Sequence, residues 1–348
     1  MQGYTFDKVF VSQECATDGV TIRVLDNLKG VDVSYVRDYR QAREFVLKNY
    51  ADPLAGGKRV IYLKRNEGEK IKRCPGTKGK LCCGYYVINM QQNCPIDCSY
   101  CILQGYLTNP FITIFTNLDD YMRDIEEFLT GRATAYFRVG TGELTDSLAL
   151  DYVTGYSLDL IDLFARHGNA ILELKTKSDC VDNLLKVDPP DNVVISWSMN
   201  PETTIQSEEK GSASLRERIE AALKCGKAGY KLAFHLDPVI ISDDYKEQYG
   251  DLLAELGSRL KGARIEWISM GCLRFEPPLK PVIMERFLNS KIHHGEFTLG
   301  TDNKLRYVRN VRVEAYKFLN SLLKSSFPYA HSYLCMESPI IWERCGFI

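Results

Sequence analysis

Three cysteines, Cys94, Cys98 and Cys101, stand in a C-x3-C-x2-C pattern directly after the apolar run Tyr85-Tyr86-Val87-Ile88-Asn89-Met90. That order predicts a strand delivering a metal-binding loop. Iron–sulfur clusters are held by cysteine thiolates, and a cubane has four irons, so three protein ligands leave one iron open to a small molecule. The competing reading is a zinc knot or three buried thiols. Structural zinc sites usually draw four ligands from paired C-x2-C elements, and no matching second pair follows along the chain.

Other candidate chemistry falls at the ends of predicted strands. Gly140-Thr141-Gly142-Glu143 follows Tyr136-Phe137-Arg138-Val139; glycines there let backbone approach a ligand, and a carboxylate beside exposed carbonyls suits an ammonium group. Lys177 follows the next strand and could pair with a carboxylate or phosphate. Ser198 and Asn200 close the fourth, where hydroxyl and amide suit a ribose, and His235 and Asp237 end the fifth. Successive strands ending in polar groups point to one pocket.

The elements that must position these residues alternate. Strands are predicted at 85–90, 134–139, 170–174, 193–198, 230–236 and 265–269, and helices at 118–129, 146–166, 178–185, 214–225 and 244–260. That rhythm implies a parallel sheet with right-handed crossovers. Residues 1–57 read as a small N-terminal α/β piece, with apolar runs at 9–11 and 20–25 and a helix at 39–49. Residues 58–277 carry the β/α alternation. Residues 278–348 read as helices at 280–289 and 314–323 flanking a hairpin, then an apolar tail.

The cysteine loop resembles that of the radical S-adenosylmethionine (SAM) enzymes. The resemblance implies a [4Fe-4S] cluster whose open iron chelates SAM, and an electron that cleaves SAM to a 5'-deoxyadenosyl radical. It also implies a partial (β/α)6 barrel with the chemistry at the C-terminal strand ends, Gly140, Gly142 and Glu143 holding the SAM amino group, and Lys177, Ser198, Asn200, His235 and Asp237 as further cofactor contacts. More narrowly, Cys94…Cys98…Cys101-Ile102-Leu103-Gln104, the segment Ala228-Gly229-Tyr230-Lys231-Leu232 and the basic C-terminal hairpin look like the spore photoproduct lyase family, over roughly residues 85–323. Members reverse 5-thyminyl-5,6-dihydrothymine in DNA: the adenosyl radical takes a hydrogen from C6, the methylene bridge breaks, and a thiol returns a hydrogen.

Two departures touch that mechanism. The family's donor cysteine aligns with Gly140, and its relay tyrosine after the third cluster cysteine is Ile102 here, whereas Tyr100 matches a second relay tyrosine. Cys74 is therefore the first candidate donor, with Cys82 and Cys83 behind it; a structural role or a second metal site is the alternative for these three. The resemblance also implies damaged DNA as partner, with Phe297, Lys304, Arg306, Tyr307 and Arg309 of the hairpin contacting it, and an external one-electron reductant such as flavodoxin or ferredoxin. A homologue acting on RNA, protein or a small molecule, or a non-catalytic Fe–S or zinc nucleic-acid-binding protein, are the rival readings.

Composition bounds these readings. The chain has 348 residues, twelve cysteines and a net charge of -1. No apolar run nears the roughly 18 residues needed to cross a membrane, and the start lacks the plan of a secretory signal, so a cytoplasmic monomer with reduced thiols is expected. Two basic stretches, Lys58 to Lys80 and Lys291 to Lys324, suggest a polyanionic partner.

Overall fold

The computed structural model describes residues 3–77 and 79–348; Lys78, of the first basic stretch, lies outside them. The chain divides into two units, one of Met1–Cys74, Gly84–Asp97 and Leu103–Val193, the other of Pro75–Cys83, Cys98–Ile102 and Val194–Ile348.

In the first unit the runs Lys-Val-Phe-Val-Ser and Val-Ile-Tyr-Leu-Lys are almost wholly buried, as β-branched and aromatic strands covered on both faces must be. They form adjacent parallel strands, Lys8–Ser12 and Val60–Lys64, flanked by Asp32–Val36 and Ile112–Phe115, also parallel; Gln91–Gln92 closes one edge antiparallel. The apolar run at 20–25 lies in a helix, Gly19–Asn27, because Val20, Thr21 and Val24 fall on one buried face.

A second set of strands in this unit carries the glycine-rich turn. Ile71–Arg73 pairs antiparallel with Tyr86–Ile88, which runs parallel to Phe137–Gly140, and that strand to Ala170–Thr176. Tyr86, Phe128 and Phe137 pack on one face, with centroids 4.9–5.3 Å apart. Side chains alternate along a strand, so Lys72, Tyr85, Asn89 and Arg138 point to the other.

The second unit continues the alternation. Val193–Ser198 pairs with Lys231–Val239, then come Ile265–Cys272 and His331–Leu334, all parallel. Helix Leu215–Ala228 begins with a capping box between Ser214 and Glu217 and ends at Gly229, where φ is 105°. The C-terminal hairpin is present: Phe297–Leu299 pairs with Leu305–Tyr307, and Arg274–Phe275 adds a third strand.

Three expectations are corrected. The helix expected over 146–166 starts at Asp151 and is interrupted at Gly155, φ 65°. The carboxylate of Asp146 takes the Leu148 and Ala149 amides first, at 3.0 and 2.8 Å, a turn that competes with the helix. No helix covers 178–185; only a short turn at Leu184–Lys186 forms, since the Ser178 hydroxyl bonds Thr176 and the Cys180 amide. The tail adds a parallel strand, His331–Leu334, where only apolar packing was expected.

One charge pair holds the second unit's strand ends. Arg218 and Glu209, both wholly buried, meet at 2.5 Å, and Arg218 also donates to the carbonyls of Ser198 and Ala213, each at 2.9 Å. Removing one partner of such a pair leaves an uncompensated buried charge. Arg218→Met is expected to cost about 3–5 kcal/mol in urea unfolding; a loss near zero would show the pair to be dispensable.

Candidate active site

The first half of the cysteine loop is held from the N-terminal unit. Asn93, with φ 67°, adopts the left-handed backbone that asparagine tolerates. Its side-chain oxygen accepts from the Cys94 amide at 3.0 Å and from Lys58 Nζ at 3.1 Å, while its Nδ2 donates to the Pro110 carbonyl at 2.7 Å. Lys58, only 7% exposed, also donates to the Cys94 and Ile96 carbonyls at 3.1 and 2.9 Å, and its ammonium lies 3.9 Å from Asp97 Oδ1. An ammonium has three hydrogens, so two loop carbonyls and the Asn93 side chain use the whole donor set of one lysine.

The second half is held from the other unit. Ser99 donates its amide to the Glu208 carbonyl at 2.8 Å and its hydroxyl to the Glu208 carboxylate, which also accepts from Ser290 at 2.8 Å. The Tyr100 hydroxyl donates to Glu209, the partner of Arg218. Burial, then the Glu209 carboxylate, push the Tyr100 phenol well above its ordinary pKa, so it stays protonated and keeps this bond.

None of the three loop cysteines forms a disulfide; Cys94 and Cys98 are buried and Cys101 half-buried. Among the described residues no three Cys, His, Asp or Glu side chains gather as they would around a single metal ion. A cubane binds each thiolate on a separate iron, so this loop suits a cluster without such convergence. Thr141 Oγ1 and Asn89 Oδ1 in the first unit and, separately, Ser196 Oγ and Ser198 Oγ in the second are buried without a hydrogen-bond partner. The three-thiol donor set fits a cluster with one iron left open.

On the inner face of the first unit's strands, Glu143 accepts from Asn89 at 2.6 Å and pairs with Lys72 at 3.6 Å. A cation already answers this carboxylate, as an ammonium ligand would. Gly140 is crowded: a Cβ there would stand 1.7 Å from the Tyr85 hydroxyl and 2.8 Å from the Glu173 carbonyl. Gly142 is looser, its nearest neighbours 3.4 Å away. Asp146 orders the next turn, accepting from Thr176 and from the Lys177 amide, both at 2.7 Å.

In the second unit Asn200 donates to Glu209 and accepts from Tyr249, both at 2.8 Å, so its amide first braces the Tyr100 anchor. His235 Nδ1 and Ser269 Oγ are 2.6 Å apart. Asp237 forms a two-pronged pair with Arg274, at 2.8 and 3.1 Å; burial works against the guanidinium's charge, but Asp237 raises its pKa above the usual arginine value.

The hairpin differs from expectation in what it leaves free. Arg306 is buried and paired with Asp302 at 2.5 Å. Tyr307 is buried, stacked at 4.7 Å on the half-exposed Phe297, and its hydroxyl accepts from the Ile241 amide. Neither is available for phosphate or base contact in this state, because the hairpin needs both to close its own core. Lys304 is half-buried, and burial with nearby Arg274 lowers its pKa; Arg309 is exposed. Part of the basic stretches is likewise engaged within the protein: Lys58 binds the loop, Lys70 donates to the Asn66 and Gly68 carbonyls, Arg312 pairs with Glu337, and the exposed Arg59 and Arg65 pair with Asp7 and Asp18.

Among the candidate donor thiols, Cys74 is half-buried and Cys82 and Cys83 are exposed. Burial pushes Cys180, Cys225 and Cys272 each up to about 12, as expected of thiols packed in a core. Sequence reading missed Lys58, Lys72, Asn93, Asp146, Glu209 and Arg218. Only Asn93, an asparagine abutting the first cysteine, carried a local signal; the others looked like surface charge.

The sequence model of the spore photoproduct lyase family matches residues 78–333. Curated spore photoproduct lyases are similar: that of Geobacillus sp. (strain Y412MC61) is 29% identical over 214 residues, 61% of this chain and 63% of its own, so the match spans less than two thirds of that relative. The enzyme of Bacillus subtilis (strain 168) is 25% identical over 270 residues, 77% of each chain. Solved structures of spore photoproduct lyase align with a TM-score of 0.85 for a variant with bound AdoMet and dinucleoside spore photoproduct, and 0.86 for a complex with dinucleoside spore photoproduct. Both are 22% identical and cover 96% of this chain and 100% of theirs. That likeness shows the fold, an α/β architecture with a curled half-barrel sheet, in keeping with the expected partial barrel.

Lys58→Met tests the loop's support. Each buried acceptor left unpaired costs about 1–3 kcal/mol, so the variant is expected to bind less iron and sulfide per chain after anaerobic reconstitution. Parental loading would show that the cysteines organise the loop unaided.

Proposed function

Because the chain belongs to the spore photoproduct lyase family, we propose that it is a radical SAM DNA repair lyase converting 5-thyminyl-5,6-dihydrothymine to two thymines. The observation that carries this reading is the loop of three cysteines outside any disulfide, its first part held by Lys58 and its second by Glu208 and Glu209. In it, Cys94, Cys98 and Cys101 hold a [4Fe-4S] cluster. Bound there, cluster and SAM supply a 5'-deoxyadenosyl radical that takes a hydrogen atom from C6 of the lesion.

The chain's own groups do the rest. Glu143, with Gly140 and Gly142 beside it, holds the ammonium of SAM, and Lys72 is the cation it releases. Ser198 offers an unpaired hydroxyl to the ribose, with Asn200, Lys177, His235 and Asp237 around the same cofactor. Tyr100 keeps the loop in register through Glu209 rather than facing open solvent. Once the methylene bridge of the lesion has broken, the thymine methylene radical needs one hydrogen atom, and Cys74 supplies it. A half-buried thiol keeps its S–H better than the exposed Cys82 and Cys83, which solvent oxidants reach.

Damaged DNA is the partner. Extruding linked bases costs a few kcal/mol, less where damage has weakened stacking. Lys304 in the hairpin's turn and Arg309, with Phe297 at the hairpin's base, are the candidate contacts among the five that the chain leaves accessible. A low-potential one-electron carrier such as flavodoxin or ferredoxin charges the cluster, and the protein works as a cytoplasmic monomer.

Reconstituted protein given SAM and a one-electron reductant is expected to release 5'-deoxyadenosine, and with dinucleoside spore photoproduct to yield the thymine dinucleotide. No 5'-deoxyadenosine would sink the enzyme reading; release without lesion conversion would move the activity to another substrate. Cys74→Ala is expected to consume lesion yet form by-products in place of thymine, and clean thymine at the parental rate would remove Cys74 as donor.

A further inference from the structure

The N-terminal sheet presents a surface outside the machinery described so far. Its edge strand, Asp32–Val36, has a neighbour on one side only, Lys8–Ser12. Helix Arg40–Asn49 packs on Phe10 and Val36 through the wholly buried Ala42 and Val46 and through Phe45, whose ring meets Phe10 edge-on at 5.6 Å. A hollow of about 500 Å³ opens there, lined by Phe10, Tyr35 and Phe45 and by the polar Ser34, Gln41 and Asn49. Tyr35 is 56% exposed, and Tyr39, at the helix's start, is exposed as well. Aromatic rings with amide and hydroxyl groups beside them suit a flat heterocycle with polar edges, a nucleobase.

The outer side of the same helix is cationic. Arg40, Arg43 and Leu47 follow at spacings of three and four and so share one face; with Glu44 and Lys48 they line a second hollow of about 550 Å³, and Glu44 and Lys48 belong to both. Arg37, Arg40, Arg43 and Lys48 are all exposed. Asp38 is already engaged, its carboxylate accepting from the Arg40 amide at 2.8 Å and meeting the Arg40 guanidinium at 3.2 Å. Among the described residues Arg37, Arg43 and Lys48 form no ion pair. Cations held on one face repel one another, and a strand of phosphates relieves that repulsion while releasing its own counterions. Arg40 and Lys48 stand about 12 Å apart along the helix axis, roughly three to four steps of a stacked strand at about 3.4 Å each.

We propose that this N-terminal face is a second nucleic-acid contact and holds single-stranded DNA, with phosphates on Arg40, Arg43 and Lys48 and a base on Tyr35 in the adjoining hollow. Glu44, common to both hollows, is an acceptor for the amino hydrogens of a base. An acidic protein surface would answer the cations but not the aromatic hollow beside them; a strand offers phosphate and base together. The contact goes beyond the lyase reading and does not depend on it, since it adds affinity for the strand and takes no part in the chemistry.

The test uses the full chain and a fluorescein-labelled, lesion-free single-stranded oligonucleotide, with anisotropy read between about 50 and 200 mM salt. The slope of log affinity against log salt is about 0.7 per phosphate neutralised in a single strand. Arg43→Ala combined with Lys48→Ala should therefore flatten the slope by about 1.4 and weaken binding roughly tenfold. Tyr35→Ala should weaken binding roughly tenfold with the slope unchanged, because it removes stacking and no charge. Lys224→Ala combined with Lys227→Ala takes the same charge from exposed positions on helix Leu215–Ala228 and should leave affinity and slope at parental values. Parental binding in either the Arg43/Lys48 or the Tyr35 variant, or an equal loss in the Lys224/Lys227 variant, overturns the proposal. A loss that comes only with a lowered thermal midpoint assigns the residues to folding and overturns it as well. Strand binding untouched by every variant, with binding of an acidic flavodoxin lost in the Arg43/Lys48 variant, gives the face to a protein partner and overturns it too.

Discussion

A single buried ammonium holds the entry to the cysteine loop. Lys58 points three hydrogens at Asn93 Oδ1 and the carbonyls of Cys94 and Ile96, within 3.1 Å. A buried charge is tolerated only when its hydrogen bonds are made, so the lysine and the loop backbone require one another. The arrangement also sets a positive charge beside thiolates that are to carry an anionic cluster, and charge and hydrogen bonding around a cluster tune its potential. Asn93 completes the device with a left-handed turn that aims Cys94.

The exit of the loop follows the same logic with the opposite sign. Glu208 and Glu209 accept from Ser99 and Tyr100, and Arg218 neutralises Glu209 without exposing it. An isolated buried carboxylate would take up a proton; paired, it stays a strong acceptor and can hold a phenol whose own proton is kept by burial. The same pair reaches Asn200 and the Ser198 carbonyl, so the ends of the Val193–Ser198 strand and the cysteine loop are braced by one charge network.

Part of the charge that looks like a nucleic-acid surface in the sequence is internal or neutralised. Lys58, Lys70, Arg306 and Arg312 are buried and Arg59 and Arg65 are paired at short range. Of the C-terminal stretch, Lys291, Arg309, Lys317 and Lys324 stay exposed and Lys304 half-buried.

The local pattern determined the cluster loop, the β/α rhythm, the capping of Leu215–Ala228 and the hairpin at 297–307, because each rests on spacing, turn chemistry or period within a few residues. It also determined that the glycine-rich turn ends a strand. Where long-range partners compete, local pattern failed: Asp146 and Ser178 take amides that the 146–166 and 178–185 helices needed. Only tertiary structure decided that Lys58 and Arg218 are buried, that Tyr307 and Arg306 serve the hairpin's interior, and that Tyr85 fills the space beside Gly140. The reason is physical. A charge or a phenol carries no mark in its neighbours of whether water or a folded partner will surround it, and that choice is made by residues tens of positions away.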